Sequence, residues 1–189
     1  MEQNKCYLVT LDPSKVTYVA RVSALTKSYC ILDYFRHDGE VIDFSVDRMD
    51  PRTVTILTEI SREAFFKLFY SFYDTMIELE KYIKEDKPIN VEDVKYEIGG
   101  AFFYYDNYGY RRVEKVVGFE DGYWQIKDLD FFEEEGEMTY SHSFDGRKRP
   151  HHDQCYHLDS EYFDKMWDMI AAMGATVDNV IKAYLPLEI

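Results

Sequence analysis

Apolar residues recur in short runs through residues 6–57 and again through 96–144, and turn residues separate the runs. Runs of this length that are rich in valine, isoleucine and aromatic residues are typical of β-strands. A longer stretch with helical apolar spacing follows each series. Each half of the chain is therefore predicted to be a β-meander followed by one long helix. The predicted strands lie near 6–11, 15–25, 28–36, 40–46 and, as an optional fifth, 53–57, then near 96–105, 109–119, 123–132 and 137–144.

Short turn motifs separate the predicted strands. Asp12-Pro13-Ser14 presets the backbone for a tight reversal, because proline fixes its own φ. Asp38-Gly39 and Asp121-Gly122 supply residues that tolerate the positive φ of two-residue hairpin turns. These motifs predict hairpins between consecutive strands.

The two predicted helices have the same signals at their N-termini. Ser61 and Asp159 are the expected N-caps, and each is followed two positions later by a glutamate. Gly174 occupies the place of Met76 in the second helix, which predicts a close approach to the helix backbone there. The expected buried stripes are Phe65, Leu68, Phe72, Met76, Leu79 and Ile83, and Phe163, Met166, Ile170, Gly174, Val177 and Ile181.

Internal similarity indicates that the chain is a duplication. "VARVSALTKSYCIL" (19–32) aligns with "VEKVVGFEDGYWQI" (113–126) at an offset of 94 residues. The offset then becomes 97, pairing Asp33 with Asp130, and later 98, where Ser45 aligns with Ser143. The predicted fold class is α+β, a tandem duplication of a β-meander of four, or optionally five, antiparallel strands and one long helix. The predicted organisation is a first repeat over 1–84, a linker over 85–94 and a second repeat over 95–189, packed with pseudo-twofold symmetry.

Paired units of four strands and one helix resemble, in topology only, the PUR-repeat and whirly-type nucleic-acid-binding folds. The resemblance implies binding of single-stranded nucleic acid by the duplicated sheets. Because it rests on no sequence motif, no functional residue is carried across, and shared topology alone does not establish function.

Charge separates the two halves more strongly than any other property. There are 13 acidic and 11 basic residues within 1–84, but 23 acidic and 11 basic residues within 85–189, so the net charges are −2 and −12. A field of this sign repels nucleic-acid phosphates and membrane surfaces, and it attracts basic partners. The second half is therefore expected to be the specialised one.

Three cysteines, far apart in sequence, favour a reducing compartment over a disulfide framework. No window approaches the roughly 20 apolar residues of a membrane-spanning helix. The N-terminal residues lack the features of a secretory signal peptide. These observations predict a cytoplasmic protein with no membrane partner.

An acidic tract and a neighbouring aromatic run are the candidate partner-binding residues. "DFFEEEGE" (130–137) places four acidic residues behind its leading aspartate and two phenylalanines, and "AFFYYDNYGYRR" (101–112) supplies the aromatic side chains. Carboxylates on alternate strand residues form a row with a spacing of about 6.6 Å. The alternative is a solvated hairpin that contributes only solubility. The candidate residues are Glu120, Asp121, Asp128, Asp130, Glu133, Glu134, Glu135, Glu137, Tyr104, Tyr105, Tyr108 and Tyr110.

A histidine-rich segment over 142–157 is the candidate for metal or thiol chemistry. His151, Asp153, Cys155 and His157 alternate, and all are side chains that bind zinc. On one strand they would be too widely spaced to form a single four-ligand site. Metal binding is therefore a weaker interpretation than a polar loop, and no cofactor is predicted.

Three functions remain open from the sequence. The favoured one is a small acidic inhibitor that occludes a basic site on a partner protein, for example a nuclease or another nucleic-acid-binding protein. Immunity proteins and phage anti-defence proteins of the anti-CRISPR kind belong to this functional class. The alternatives are a single-stranded nucleic-acid-binding protein and a metal-dependent enzyme centred on 142–157. Since no standard catalytic motif is present, we do not expect an enzyme.

Overall fold

The computed structural model of the chain describes residues 1–39, 41–83, 89–90, 93–105, 110–134, 137–147 and 154–185. In this part of the chain there are eleven strands, antiparallel wherever a ladder register is described, and two long helices. The α+β class predicted from the sequence is confirmed. The elements are β1 Cys6–Leu11, β2 Thr17–Leu25, β3 Cys30–His37, β4 Val41–Met49, β5 Val54–Ile60, α1 Arg62–Glu80, β6 Ile89–Asn90, β7 Ala101–Tyr105, β8 Arg111–Glu120, β9 Tyr123–Glu134, β10 Glu137–Arg147, β11 Gln154–Leu158 and α2 Ser160–Tyr184.

Two of these strands lie where the sequence predicted none. β6 falls inside the predicted linker, and β11 overlaps the end of the histidine-rich segment, for which a polar loop is the prediction. β11 pairs with β6 and with β7. Both strands have neighbours that are distant in sequence, which explains why a local apolar pattern did not predict them.

The chain divides into two compact units whose boundaries differ from the predicted repeats. Unit 1 contains 1–74, 133–139 and 172–189, and unit 2 contains 75–132 and 140–171. Each unit therefore includes the first part of one helix and the last part of the other. The predicted pseudo-twofold packing stays a prediction.

Within unit 1 the strands follow the order β5-β1-β2-β3-β4, and within unit 2 the order is β6-β11-β7-β8-β9-β10. In both units the strand before the helix thus lies beside the first strand of the meander. A β-bulge interrupts the second hairpin pair of each unit, between Val22 and Ala24 in unit 1 and between Val116 and Gly118 in unit 2. The two bulges are 94 residues apart in the sequence.

The register corrects one part of the sequence alignment. Leu32 lies opposite Val22, and Ile126 lies opposite Val116, so the offset of 94 continues into the third strand of each unit. By ladder position Asp33 therefore corresponds to Lys127 and not to Asp130. The additional residues of the second half lie further along β9.

The sheet in each unit is covered on the helix side by the predicted apolar stripe. The side chains of Phe65, Leu68 and Phe72 are buried in unit 1, and Phe163, Met166 and Ile170 are buried in unit 2. The predicted N-caps are confirmed, because the Ser61 side chain accepts a hydrogen bond from the Ala64 amide and Asp159 accepts one from the Glu161 amide. On the opposite face, a separate apolar cluster in each unit is formed by alternate residues of the same strands.

Gly174 makes the close approach that the sequence predicts. A Cβ atom added at this position would lie 2.7 Å from Nε2 of His37. The His37 ring is held in place, since its Nδ1 lies 2.8 Å from a carboxylate oxygen of Asp178. Both contacts belong to unit 1.

We expect Gly174→Ala to lower the free energy of unfolding. Alanine favours the helix by about 1 kcal/mol, but the clash with a fixed ring costs about 1–3 kcal/mol, as overpacking does in a dense core. In a His37→Ala background the clash is absent, so the same substitution should raise stability by about 1 kcal/mol. Urea denaturation of the four proteins in this double-mutant cycle measures the coupling. A Gly174→Ala protein more stable than wild type in the presence of His37 would contradict this account.

Candidate functional site

The hairpin between β8 and β9 carries an exposed acidic and aromatic tip. We define the β8–β9 tip as Phe119, Glu120, Asp121, Gly122 and Tyr123. Asp121 and Gly122 have φ values of 52° and 82°, so the tight turn predicted from this dipeptide is confirmed. Glu120 and Asp121 are exposed to solvent. The tip therefore presents two carboxylates on a rigid two-residue turn.

Exposed aromatic side chains lie directly beside these carboxylates. The exposed fraction is 56% for Phe119 and 41% for Tyr123. Glu120 is opposite Tyr123 in the ladder, whereas Phe119 is opposite Trp124 and its ring centroid lies 4.7 Å from the centroid of the indole. Since side chains of a directly opposed pair share one face, Glu120 and Tyr123 form one side of the tip and Phe119 and Trp124 form the other.

The corresponding tip of unit 1 has different chemistry. Residues 26–28 there are Thr26, Lys27 and Ser28, and the Thr26 hydroxyl oxygen accepts hydrogen bonds from the amides of Ser28 and Tyr29. The tip of unit 1 is thus a closed polar turn with one lysine. Asp121 lies 94 residues after Lys27, and the two turns carry charges of opposite sign.

Away from the tip, unit 2 contains a buried acidic pair. Glu114 and Asp128 are opposite one another in the ladder and are only 2% and 5% exposed. At the same ladder positions unit 1 has Ala20 and Tyr34. The Tyr96 hydroxyl donates to the Glu114 carboxylate, with both O–O distances at 3.4 Å.

A cysteine lies in the same buried cluster as this pair. Burial, with a smaller contribution from the negative charge of Glu114, raises the pKa of the Cys155 thiol to about 11. A thiol held in its protonated form is a poor nucleophile and a poor metal ligand. The Glu114–Asp128 pair and Cys155 are therefore buried parts of the core, and we assign no reaction to them.

The structure removes two residues from the predicted contact surface. Tyr104 is 1% exposed and belongs to the apolar cluster of unit 2, together with Phe102. Asp128, as described, is buried opposite Glu114. Both predictions of an exposed side chain are wrong, because Ile89, Val94 and Tyr96 pack on this face of the sheet.

The other candidates divide into three groups. Asp130 is half-buried, with a carboxylate oxygen 3.3 Å from the Arg112 guanidinium, and Tyr110 stacks on Phe132 with ring centroids 4.5 Å apart. Tyr105 is 44% exposed, and Glu120 and Asp121 are exposed at the tip. The side chains of Glu133, Glu134, Glu135, Glu137 and Tyr108 lie outside the described residues.

The weak metal candidates are not brought together in the described part of the chain. Cys155 is buried on β11, whereas His157 is exposed, with its ring 5.4 Å from the Phe102 ring. His151 and Asp153 lie outside the described residues. Among the described residues no group of three or more histidine, cysteine or carboxylate side chains could hold a metal ion. Nor does any helix in the described ranges have the length and apolar character needed to span a membrane.

Sequence reasoning missed the two aromatic residues of the tip. Phe119 and Tyr123 flank the Glu120-Asp121-Gly122 turn, and this proximity in sequence could have indicated them. The denser aromatic run at 101–112 gives the stronger signal in the sequence. Phe119 and Tyr104 differ in the exposed fraction of their side chains. This difference depends on which segments pack on each face of the sheet, and a local sequence pattern does not show that.

We expect the thiols of native Cys6 and Cys155 to react very slowly with a disulfide reagent at pH 8. Burial is the main cause that raises each pKa from 9.0 to about 11, so the thiolate fraction is reduced by about a hundredfold in addition to the steric protection. Absorbance measured during labelling in buffer and in denaturant checks this, with all three cysteines reacting once the chain unfolds. Rapid labelling of the Cys155 thiol in the native protein would contradict this expectation and make thiol chemistry at Cys155 a candidate again.

Comparison of the chain with protein-family models, curated proteins and solved structures gives no significant match.

Proposed function

We propose that the protein binds a basic partner protein through the β8–β9 tip and inhibits that partner by occluding its basic site. A nuclease or another nucleic-acid-binding protein is the kind of partner that offers such a site. This is the mode of action of immunity proteins and of phage anti-defence proteins. The observation that supports the proposal is the co-location of exposed Phe119 and Tyr123 with the carboxylates of Glu120 and Asp121.

Carboxylates and aromatic rings contribute different parts of such an interaction. The net charge of −12 over 85–189 attracts a basic surface at long range and raises the rate of association. Aromatic side chains that become buried on contact provide most of the residence time in protein interfaces. A hairpin tip that carries both can enter a concave basic groove.

We also infer that the two halves are copies of one unit, of which the second has acquired the binding surface. Matching bulges and matching strand orders support the inference. Further support comes from a repeated contact between strand and helix. The Arg21 guanidinium lies 5.3 Å from the centroid of the Phe66 ring in unit 1, and Lys115 donates to Asp164 in unit 2. Arg21 and Lys115 are 94 positions apart, and Phe66 and Asp164 are 98 positions apart. These are the two offsets of the alignment, so the same pair of positions is in contact in each unit although the side chains differ.

The double charge reversal Glu120→Lys/Asp121→Lys should weaken partner binding at least tenfold. Close charge pairs across an interface contribute about 1.5 kcal/mol or more, and 1.4 kcal/mol corresponds to a factor of ten in Kd. Affinity capture from the native host with the full chain would identify candidate partners, and titration of a purified partner would give Kd. The affinity of the wild-type protein should also fall as salt concentration rises.

A matched control is Asp74→Lys/Asp168→Lys, which makes the same change in net charge at exposed helix positions. This control should retain most of the affinity if the tip makes the contact. Equal losses in both double variants would show that only net charge matters. A captured partner that continued to bind nucleic acid in the presence of saturating protein would contradict occlusion.

A further inference from the structure

Strand β5 forms the edge of the sheet in unit 1. It is the first strand in the strand order, and it pairs with β1. In the part of the chain that the structure describes, no other strand pairs with β5. Its seven residues extend over about 23 Å, since a strand rises about 3.3 Å per residue. The backbone groups of β5 that point away from β1 can therefore pair with a further strand.

The residues of β5 do little to prevent such pairing. Natural edge strands usually contain lysine, proline or inward-pointing charges, which block the addition of another strand. The sequence of β5, "VTILTEI", has no lysine or proline, and Glu59 is its single charged residue. Ile56 and Leu57 are adjacent and are 37% and 40% exposed. An exposed apolar edge of this kind favours strand addition.

Unit 2 shows a strand added at the corresponding edge. There β11, the strand before α2, lies between β7 and β6 in the strand order, and Cys155 of β11 pairs with Ile89 of β6. Cys155 lies four residues before the N-cap Asp159, just as Leu57 lies four residues before the N-cap Ser61. Cys155 is only 3% exposed, whereas Leu57 is 40% exposed. The place at which unit 2 adds an antiparallel strand is thus exposed in unit 1.

A β-bulge lies at the centre of β5. The ladder with β1 shifts between Leu8 and Val9, which leaves Leu57 of β5 as an additional residue. An additional residue reverses the alternation of side chains beyond it. Thr55 and Thr58 therefore share one face of the sheet although they are three positions apart.

Because of the bulge, the pattern of faces along β5 is symmetric about the Ile56–Leu57 bond. Thr55 and Thr58 are equally distant from this bond. Val54 and Glu59, one position further out on each side, share the other face. An antiparallel copy of β5, related by a twofold axis at this bond, would place threonine opposite threonine and isoleucine opposite leucine. Opposed threonines can form hydrogen bonds, and burial of the apolar pair is favourable.

The two ends of β5 also have opposite charges. Arg52, shortly before β5, has a side chain that is 90% exposed, and the side chain of Glu59 near the other end is 55% exposed. Within one chain these side chains form exposed ion pairs with Asp50 and Lys5, which contribute little to stability. A twofold axis brings the Arg52 end of each copy to the Glu59 end of the other, so the charges are complementary.

We propose that two copies of this chain associate by antiparallel pairing of β5 with β5, about a twofold axis at the Ile56–Leu57 bond. Each copy pairs with the outward backbone groups of the other, as β6 does with β11 in unit 2. An interface one strand wide falls below the roughly 1,200 Å² of stable complexes, so the dimer is weak. The net charge of −14 on each chain opposes association, and salt screens this repulsion. The surface is separate from the β8–β9 tip, so the proposal does not depend on the proposed function.

Sedimentation equilibrium of the full chain tests the dimer. We expect a monomer–dimer equilibrium with a Kd of about 10–500 µM, as for a small and transient interface. This Kd should fall as salt concentration rises, which is the opposite of the expectation for partner binding at the tip. A monomer at all concentrations up to about 1 mM would overturn the proposal. An assembly larger than a dimer would overturn it as well, because twofold pairing closes at two copies.

Lysine substitutions test the location of the interface. Leu57→Lys brings two like charges together near the twofold axis and should raise Kd by at least about tenfold. Val117→Lys is the matched control, since Val117 is the additional residue of the other bulge and is 37% exposed. It makes the same change in net charge, but β8 has neighbouring strands on both sides. The control should leave Kd nearly unchanged, and equal losses in the two variants would overturn the assignment to β5.

A complementary pair of variants tests the register. Ile56→Lys and Leu57→Glu should each be monomeric alone, but a mixture should form a heterodimer. In the heterodimer the introduced lysine is opposite the introduced glutamate, and the remaining leucine is opposite the remaining isoleucine. Recovery in the mixture also shows that both variants are folded. A mixture of Ile56→Lys with Ile56→Glu lacks this opposition and should recover less. Greater recovery in that second mixture, or none in the first while wild type dimerises, would overturn the proposed axis.

Discussion

The β-bulge between Val116 and Gly118 is the constraint on which the candidate site depends. Side chains alternate between the faces of a strand, and one additional residue reverses the alternation beyond it. Val116 therefore faces Ile126 in the apolar cluster, whereas Glu120 turns to the opposite face and meets Tyr123. Without the bulge Glu120 would face the same way as Val116. One local irregularity thus separates the buried part of the hairpin from the part that is available to a partner.

The two hairpins show how one backbone can hold different chemistry. In unit 1 the Arg48 guanidinium lies over the Tyr29 ring, and the Tyr29 amide donates a hydrogen bond to the Thr26 hydroxyl oxygen of the turn. In unit 2 the turn beside the exposed Tyr123 carries the carboxylates of Glu120 and Asp121. Because the bulge and the turn fix the backbone, these substitutions alter the surface without altering the register. The chemical differences between the two hairpins are therefore local and require no change in the sheet.

The sequence predicted the elements whose signals are local. The Asp121-Gly122 turn, the caps at Ser61 and Asp159 and the approach at Gly174 each depend on a few neighbouring residues. β11 was missed because its partners, β6 and β7, are distant in the chain. Tyr104 and Asp128 were placed on the surface because a strand pattern does not reveal which face another segment covers.

The division of each helix between two units has a consequence for how this protein can be cut. Cleavage in the connection after α1 would leave the N-terminal fragment without residues 172–185, including Tyr184, whose hydroxyl donates to Ser61 at the start of α1. The C-terminal fragment would lack residues 75–80 in the same way. Neither fragment would contain all the residues of one compact unit, so we do not expect either fragment to fold alone.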